Sequence, residues 1–249
     1  MTPQRYAYGP DPSQWAELYL PEVPRHAGVV VVIHGGYWRS RYGADLGAPL
    51  ARDLASHGVA AWNLEYRRMG NGGGWPETFL DVAAGIDALA RAAGDHGLDL
   101  SRVVVLGHSA GGQLGVWAAG RADLPATAVG GAPAVEVSGV VSQSGLLNLT
   151  QAQHLGLSNN AVTALLGNDV ALVDPMAAIP LPVPVYAVQA ADDDDVPASQ
   201  SQSYVNAVVA AGGQAEFIDV PGDHYDLINP ASGAYAVCRD LVLGLLARA

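Results

Sequence analysis

The sequence predicts an α/β fold built on a mainly parallel central sheet with helices on both faces. Two observations carry that expectation. Short β-branched apolar runs alternate with segments of helical spacing, the pattern of strand–helix–strand crossovers. The runs are also close to continuous in Val, Ile, Leu and Ala, as expected of strands buried on both faces of a parallel sheet. Composition agrees: half of the 249 residues are hydrophobic and only 14% are charged, enough apolar material for one large core.

In chain order, a less regular apolar stretch at 19–23 reads as an early edge strand, and residues 28–33 are the first strand of the central sheet. Helical spacing follows at 45–56, then a strand at 59–63, a Gly-rich turn at 70–74 and a helix at 78–93. Residues 103–106 form a strand that runs into a glycine-flanked turn and a helix at 111–121. Strands at 137–141, 183–189 and 215–220 alternate with helices at 198–211 and 233–247. The stretch 148–184 interrupts this rhythm; it reads as a small cap or lid, with an irregular packed loop as the alternative. The whole chain, 1–249, reads as one domain.

Charge narrows the function. A formal net charge of −12, from 24 acidic and 12 basic residues, offers no basic stripe for a phosphate backbone or an anionic membrane. Neither nucleic acid nor membrane is an expected partner. Every basic residue is Arg, and the absence of Lys removes a Schiff-base lysine and a complete phosphate loop. The single cysteine, Cys238, shares an apolar helical face with Tyr235, Leu241, Val242 and Leu245 and reads as core. With no intramolecular disulfide available, no apolar signal segment near Met1 and no membrane-length run, a cytoplasmic protein is the expectation.

The sharpest chemical signal is Gly107-His108-Ser109-Ala110-Gly111, placed directly after a strand and before a helix. A serine on so tight a turn needs small neighbours, and the turn thrusts its hydroxyl into the cleft above the sheet. Ser109 is therefore the candidate nucleophile, and the amide of Ala110 faces a developing oxyanion. His34-Gly35-Gly36-Tyr37-Trp38 follows the first central strand; adjacent glycines let backbone amides approach a ligand closely. Gly36 and Tyr37 are the expected further oxyanion donors, with His34 bracing the loop.

The base should follow the serine and sit after a late strand. His224, in Pro221-Gly222-Asp223-His224-Tyr225, meets that condition; His154 does not. Its orienting acid must lie between them, where Asp192, Asp193, Asp194 and Asp195 run consecutively after a strand. The spacing to Val196-Pro197 selects Asp193, with Asp192 and Asp194 as rivals. Trp38 and Trp75 are expected at the substrate pocket. No HExxH or comparable ligand spacing occurs, so neither metal nor cofactor is expected.

Taken together, these motifs resemble the esterase and kynurenine formamidase (arylformamidase) branch of the α/β-hydrolase superfamily. His34-Gly35-Gly36-Tyr37-Trp38 is similar to its HGGxW signature, and Gly107 to Leu114 to its GHSAGG(x)L elbow. Ser144-Gly145-Leu146-Leu147-Asn148-Leu149 is similar to its SGxxDL segment, with Asn148 where Asp is usual. The resemblance implies a serine hydrolase with the α/β-hydrolase fold, acting on a small-molecule ester or amide such as N-formyl-L-kynurenine. A peptidase, thioesterase or cyclase on the same fold, or a non-catalytic binding protein, is the alternative, and a homo-oligomer is compatible with either.

Overall fold

A computed structural model describes residues 2–247. Eight strands, β1 (Gln4–Ala7), β2 (Trp15–Tyr19), β3 (Val29–Ile33), β4 (Ala60–Leu64), β5 (Val103–His108), β6 (Gly139–Gln143), β7 (Val185–Ala190) and β8 (Ala215–Val220), form one sheet. Its order is β1-β2-β4-β3-β5-β6-β7-β8. The first two strands pair antiparallel at one edge, and all strands from β4 to β8 are parallel.

Residue alternation along each strand divides the core in two. On β3, Val29, Val31 and Ile33 face one layer while Val30 and Val32 face the other. The first layer receives the helices α2 (Glu77–Asp87), α3 (Leu89–His96), α4 (Ala110–Ala119) and α7 (Ser199–Ala210). The opposite layer receives α1 (Ala48–Ser56) and α8 (Gly233–Ala247), including the fully buried Cys238. Burial pushes the Cys238 thiol up to about 12, which keeps it protonated and unreactive. Among the described residues no helix is long and apolar enough to cross a membrane.

The central strands and most helices lie within a few residues of their expected bounds, and two expectations are corrected. The strand expected as an edge over 19–23 is β2 at Trp15–Tyr19, and it is not the edge, since β1 pairs outside it. Pro21 and Pro24 carry no N–H to give to a ladder, so pairing stops before them. The helix expected over 78–93 is two segments, α2 and α3, separated at Ala88, whose backbone stays right-handed. The stretch 148–184 is largely ordered as α5 (Leu149–His154), α6 (Leu157–Leu166) and two 3-10 turns, Val170–Leu172 and Pro175–Ala178.

That stretch is pinned by polar side chains. Asn148 caps α5, its side chain accepting from the amide of Gln151 at 2.9 Å, the service an aspartate would give at the same place. The buried Asp174 carboxylate accepts from the amides of Leu149 and Thr150 and from the Thr150 hydroxyl. At the start of α6, Ser158, Asn159 and Asn160 all have positive φ, a left-handed turn that asparagine tolerates better than most residues.

The sheet also fixes where chemistry can occur. The connection from β3 leads to β4 on one side, while β5 lies on the other, so the chain reverses direction across the sheet between β3 and β5. Loops leaving the carboxyl ends of these two strands diverge there and open a crevice. They are the loops beginning at His34 and at Ser109.

Candidate active site

Ser109 sits between β5 and α4 with φ 54° and ψ −119°, a left-handed conformation that costs a non-glycine residue energy. Its surroundings hold it there. The Ser109 amide donates to the Gln143 carbonyl at 2.8 Å, and its carbonyl accepts from Gly112 at 2.9 Å. Neighbouring glycines are sterically required: a Cβ on Gly111 would overlap the Ile33 carbonyl, and one on Gly107 would overlap the Gly111 backbone. On the facing loop, a Cβ on Gly35 would stand 2.8 Å from the Ser109 Cβ, so β3's loop and the serine turn touch.

His224 lies on the turn after β8 and lines the same pocket as Ser109. Its Nδ1 is 2.7 Å from Asp193 Oδ2. Asp193 alone of the four aspartates is not exposed. Its other oxygen accepts from the amides of Asp195 at 2.9 Å and Val196 at 2.8 Å, closing a tight turn that throws its neighbours outward. Burial works to raise the Asp193 pKa, but the hydrogen bond and charge of His224, with Ser144 and the Val196 amide, outweigh it and hold the carboxyl below its ordinary value. The alternative histidine, His154, is exposed at the end of α5.

Gly36 and Tyr37 line the pocket, and neither they nor Ala110 give their backbone N–H to another protein group among the described residues. The loop carrying the first two is strained, with Gly36, Tyr37 and Trp38 all at positive φ. Long-range contacts restrain it. The Tyr37 hydroxyl donates to the Asp195 carbonyl at 2.7 Å, the Trp38 indole to Gln113 Oε1 at 3.2 Å, and the Arg39 guanidinium to the Ser158 carbonyl.

Two expected pocket residues lie elsewhere. Trp38 is fully buried, its indole N–H spent on Gln113, so it braces the loop from beneath. Trp75 packs edge-on against Phe79 at 5.3 Å, in the layer of α2. The cleft at Ser109 holds about 60 Å³ and is lined instead by Arg41, Tyr42, Leu46, Ser158, Tyr225 and Ile228 beside the residues named above. Nothing local in the sequence marked these; they arrive from three separate loops.

Of two further histidines, His34 braces its loop as expected and His108 was missed. His34 Nδ1–H donates to the Gly35 carbonyl at 2.8 Å, so Nε2 is left as an acceptor for the Arg68 guanidinium at 3.1 Å. Its 3.4 Å approach to Glu65 is therefore no ion pair; both groups are acceptors sharing Arg68, which is also ion-paired to Glu65. His108 must donate from Nε2, because its partner at 3.0 Å is the His224 carbonyl. His108 thus holds the backbone of His224 in place, with the two rings 4.4 Å apart. Burial first, and then the charge of Arg68 for one and His224 for the other, lower the His34 and His108 pKa values to about 3.

A pH dependence of stability follows. The folded pKa of each histidine lies below the unfolded value of 6.5, so the unfolded chain binds protons that the native state refuses. Stability is full above about pH 7 and falls as pH drops toward 3, by up to about 1.4 kcal/mol per pH unit for each histidine. The urea midpoint should be clearly lower near pH 5 than near pH 7.5. An unchanged midpoint would mean that these imidazoles are not held neutral.

Among the described residues, no group of three His, Cys, Asp or Glu side chains gathers as a metal site. What converges instead is a serine on a strained turn, an imidazole braced by a buried carboxylate, and unpartnered backbone amides.

Sheet order, strand–elbow–helix and crevice together place the chain among the α/β-hydrolases. Solved structures agree on the fold: a truncated carbohydrate esterase from gut microbiota superposes with a TM-score of 0.83 at 21% identity, covering 100% of this chain and 97% of that one. The chain belongs to the BD-FAE family, which it matches over residues 16–208. It is also similar to the esterase LipC of Mycobacterium tuberculosis, 35% identical over 127 residues, covering 49% of this chain and 30% of the relative. The isoprenylcysteine alpha-carbonyl methylesterase ICME of Arabidopsis thaliana is 28% identical over 247 residues, covering 88% and 56%. The chain spans 30% and 56% of the length of these two curated relatives.

Proposed function

We propose that this protein is a cytoplasmic serine hydrolase that cleaves small carboxylic esters, or aryl formamides of the N-formyl-L-kynurenine kind, through an acyl-enzyme. The observation that carries the reading is the 2.7 Å bond from His224 Nδ1 to Asp193, on a histidine that shares a pocket with a serine at an elbow. With Nδ1–H committed to the carboxylate, Nε2 is the free base and takes the Ser109 proton as Oγ attacks the carbonyl carbon. The oxyanion is received by the amides of Gly36, Tyr37 and Ala110, each contributing about 3 kcal/mol to the barrier reduction. Collapse expels the alcohol or amine, which takes the proton back from His224. Water, deprotonated by the same nitrogen, then releases the acid.

The esterase relatives support the ester half of this reading, and the lone buried cysteine suits a reducing compartment. The small cleft favours a short acyl group, of which formyl is the smallest. Steady-state hydrolysis of p-nitrophenyl acetate beside N-formyl-L-kynurenine separates the two halves. Far higher kcat/KM on the formamide supports a formamidase, cleavage of the ester alone a carboxylesterase, and turnover of neither counts against the hydrolase reading.

A further inference from the structure

At the mouth of the Ser109 cleft stands a cation with no anion to answer it. Arg41 is exposed and lines the cleft, and it has no carboxylate within ion-pair distance among the described residues. Arg5, Arg67, Arg68, Arg121 and Arg239 find carboxylates; Arg25, Arg39, Arg41, Arg52, Arg91 and Arg102 have no ion pair among the described residues, and of these Arg41 is the one that lines the cleft. The carboxylate on the same cleft, Asp195, is engaged by the Tyr225 hydroxyl.

Its position is fixed through Tyr42. The guanidinium carbon lies 4.8 Å from the centre of the Tyr42 ring, a cation–π contact that holds the side chain over the cleft wall. The Tyr42 ring is itself packed on the α-carbon of Gly36, where any Cβ would run into it. Gly36 and Tyr37 carry the amides that would receive the oxyanion. The guanidinium therefore sits one side-chain layer from the Gly36 backbone, on the solvent side of a cleft whose interior holds about 60 Å³. A small acyl group would fit that interior, which would leave the outer side, lined by Tyr42, Tyr225 and Arg41, for the leaving group.

Resting on the hydrolase reading above, we propose that Arg41 is a specificity-determining residue that selects esters or amides whose leaving group carries a carboxylate. A planar guanidinium presents paired N–H donors that match a carboxylate bidentately, and the two tyrosine rings flank an aromatic or flat leaving group. The surrounding negative charge repels other anions, so an anionic substrate enters only where Arg41 offsets that field.

The test compares 4-acetoxybenzoate with its neutral isostere 4-acetoxybenzamide in wild type, Arg41→Gln and Arg41→Glu, with Arg52→Gln as a control far from the cleft. Taking the ratio of kcat/KM for the anion to that for the amide, and comparing it between proteins, cancels their different intrinsic reactivity. Arg41→Gln should lower the ratio about fivefold and Arg41→Glu further, the scale of a charge-assisted hydrogen bond at an exposed site. The wild-type ratio should also fall as salt is raised, while Arg52→Gln leaves it unchanged. An unchanged ratio in both Arg41 variants, with the acetates hydrolysed and Ser109→Ala inactive, overturns the role of Arg41 and leaves the hydrolase reading standing. Absence of hydrolysis of either acetate by wild type overturns both together.

Discussion

Replacing Ser109 by alanine should lower kcat on any ester the protein hydrolyses by on the order of 10⁴-fold or more, the scale at which removing a nucleophile abolishes covalent catalysis. The fold should hardly notice. The strained backbone at φ 54° costs alanine what it costs serine, and the amide and carbonyl bonds that hold the turn do not involve the side chain. The thermal midpoint should therefore move by no more than about 2 °C. Loss of activity together with a large drop in midpoint would indicate a structural serine instead.

The second large effect belongs to the aspartates. Asp193→Asn should cost about 10⁴-fold in kcat, because an amide neither holds the required tautomer of His224 nor stabilises its imidazolium. Asp192→Asn and Asp194→Asn should leave kcat within about twofold, since both side chains are exposed and make no bond to His224. This contrast within three consecutive residues is demanding. If the loss falls on Asp192 or Asp194, the geometry of the turn is wrong; if it falls on none, His224 has no orienting acid.

Sequence and structure agree where local chemistry leaves few options. Val29 to Ile33 and Val103 to Leu106 have no polar face, so only a doubly covered strand suits them. Gly107 and Gly111 are read as an elbow because any side chain there overlaps backbone: at Gly107 that of Gly111, four residues on, and at Gly111 that of Ile33 on the neighbouring strand. Spacing before Val196-Pro197 singled out Asp193, and the structure shows the cause in the Val196 amide bound to its carboxylate.

What the sequence hides is decided by partners far along the chain. Trp38 could be assigned to the pocket only while Gln113 was unknown as its acceptor, 75 positions away. The clasp from Tyr37 to Asp195 spans 158 positions, and that from Arg39 to Ser158 spans 119. No periodicity reports such contacts. The helices α5 and α6 escaped for a different reason: the first is six residues long, and the second opens on Gly156 and a left-handed turn that breaks its apolar period. Loss of Tyr19–Val23 as a strand is the one error the sequence itself contradicts, through Pro21 and Pro24.

The central claim is that Ser109 is a nucleophile activated by His224. Its most direct test is covalent labelling by a fluorophosphonate, followed by mass measurement of the proteolytic peptides. The account predicts one phosphonylated site, Ser109, with labelling absent in Ser109→Ala and strongly slowed in Asp193→Asn. Equal labelling of wild type and Ser109→Ala, or an adduct on any other residue, would contradict it.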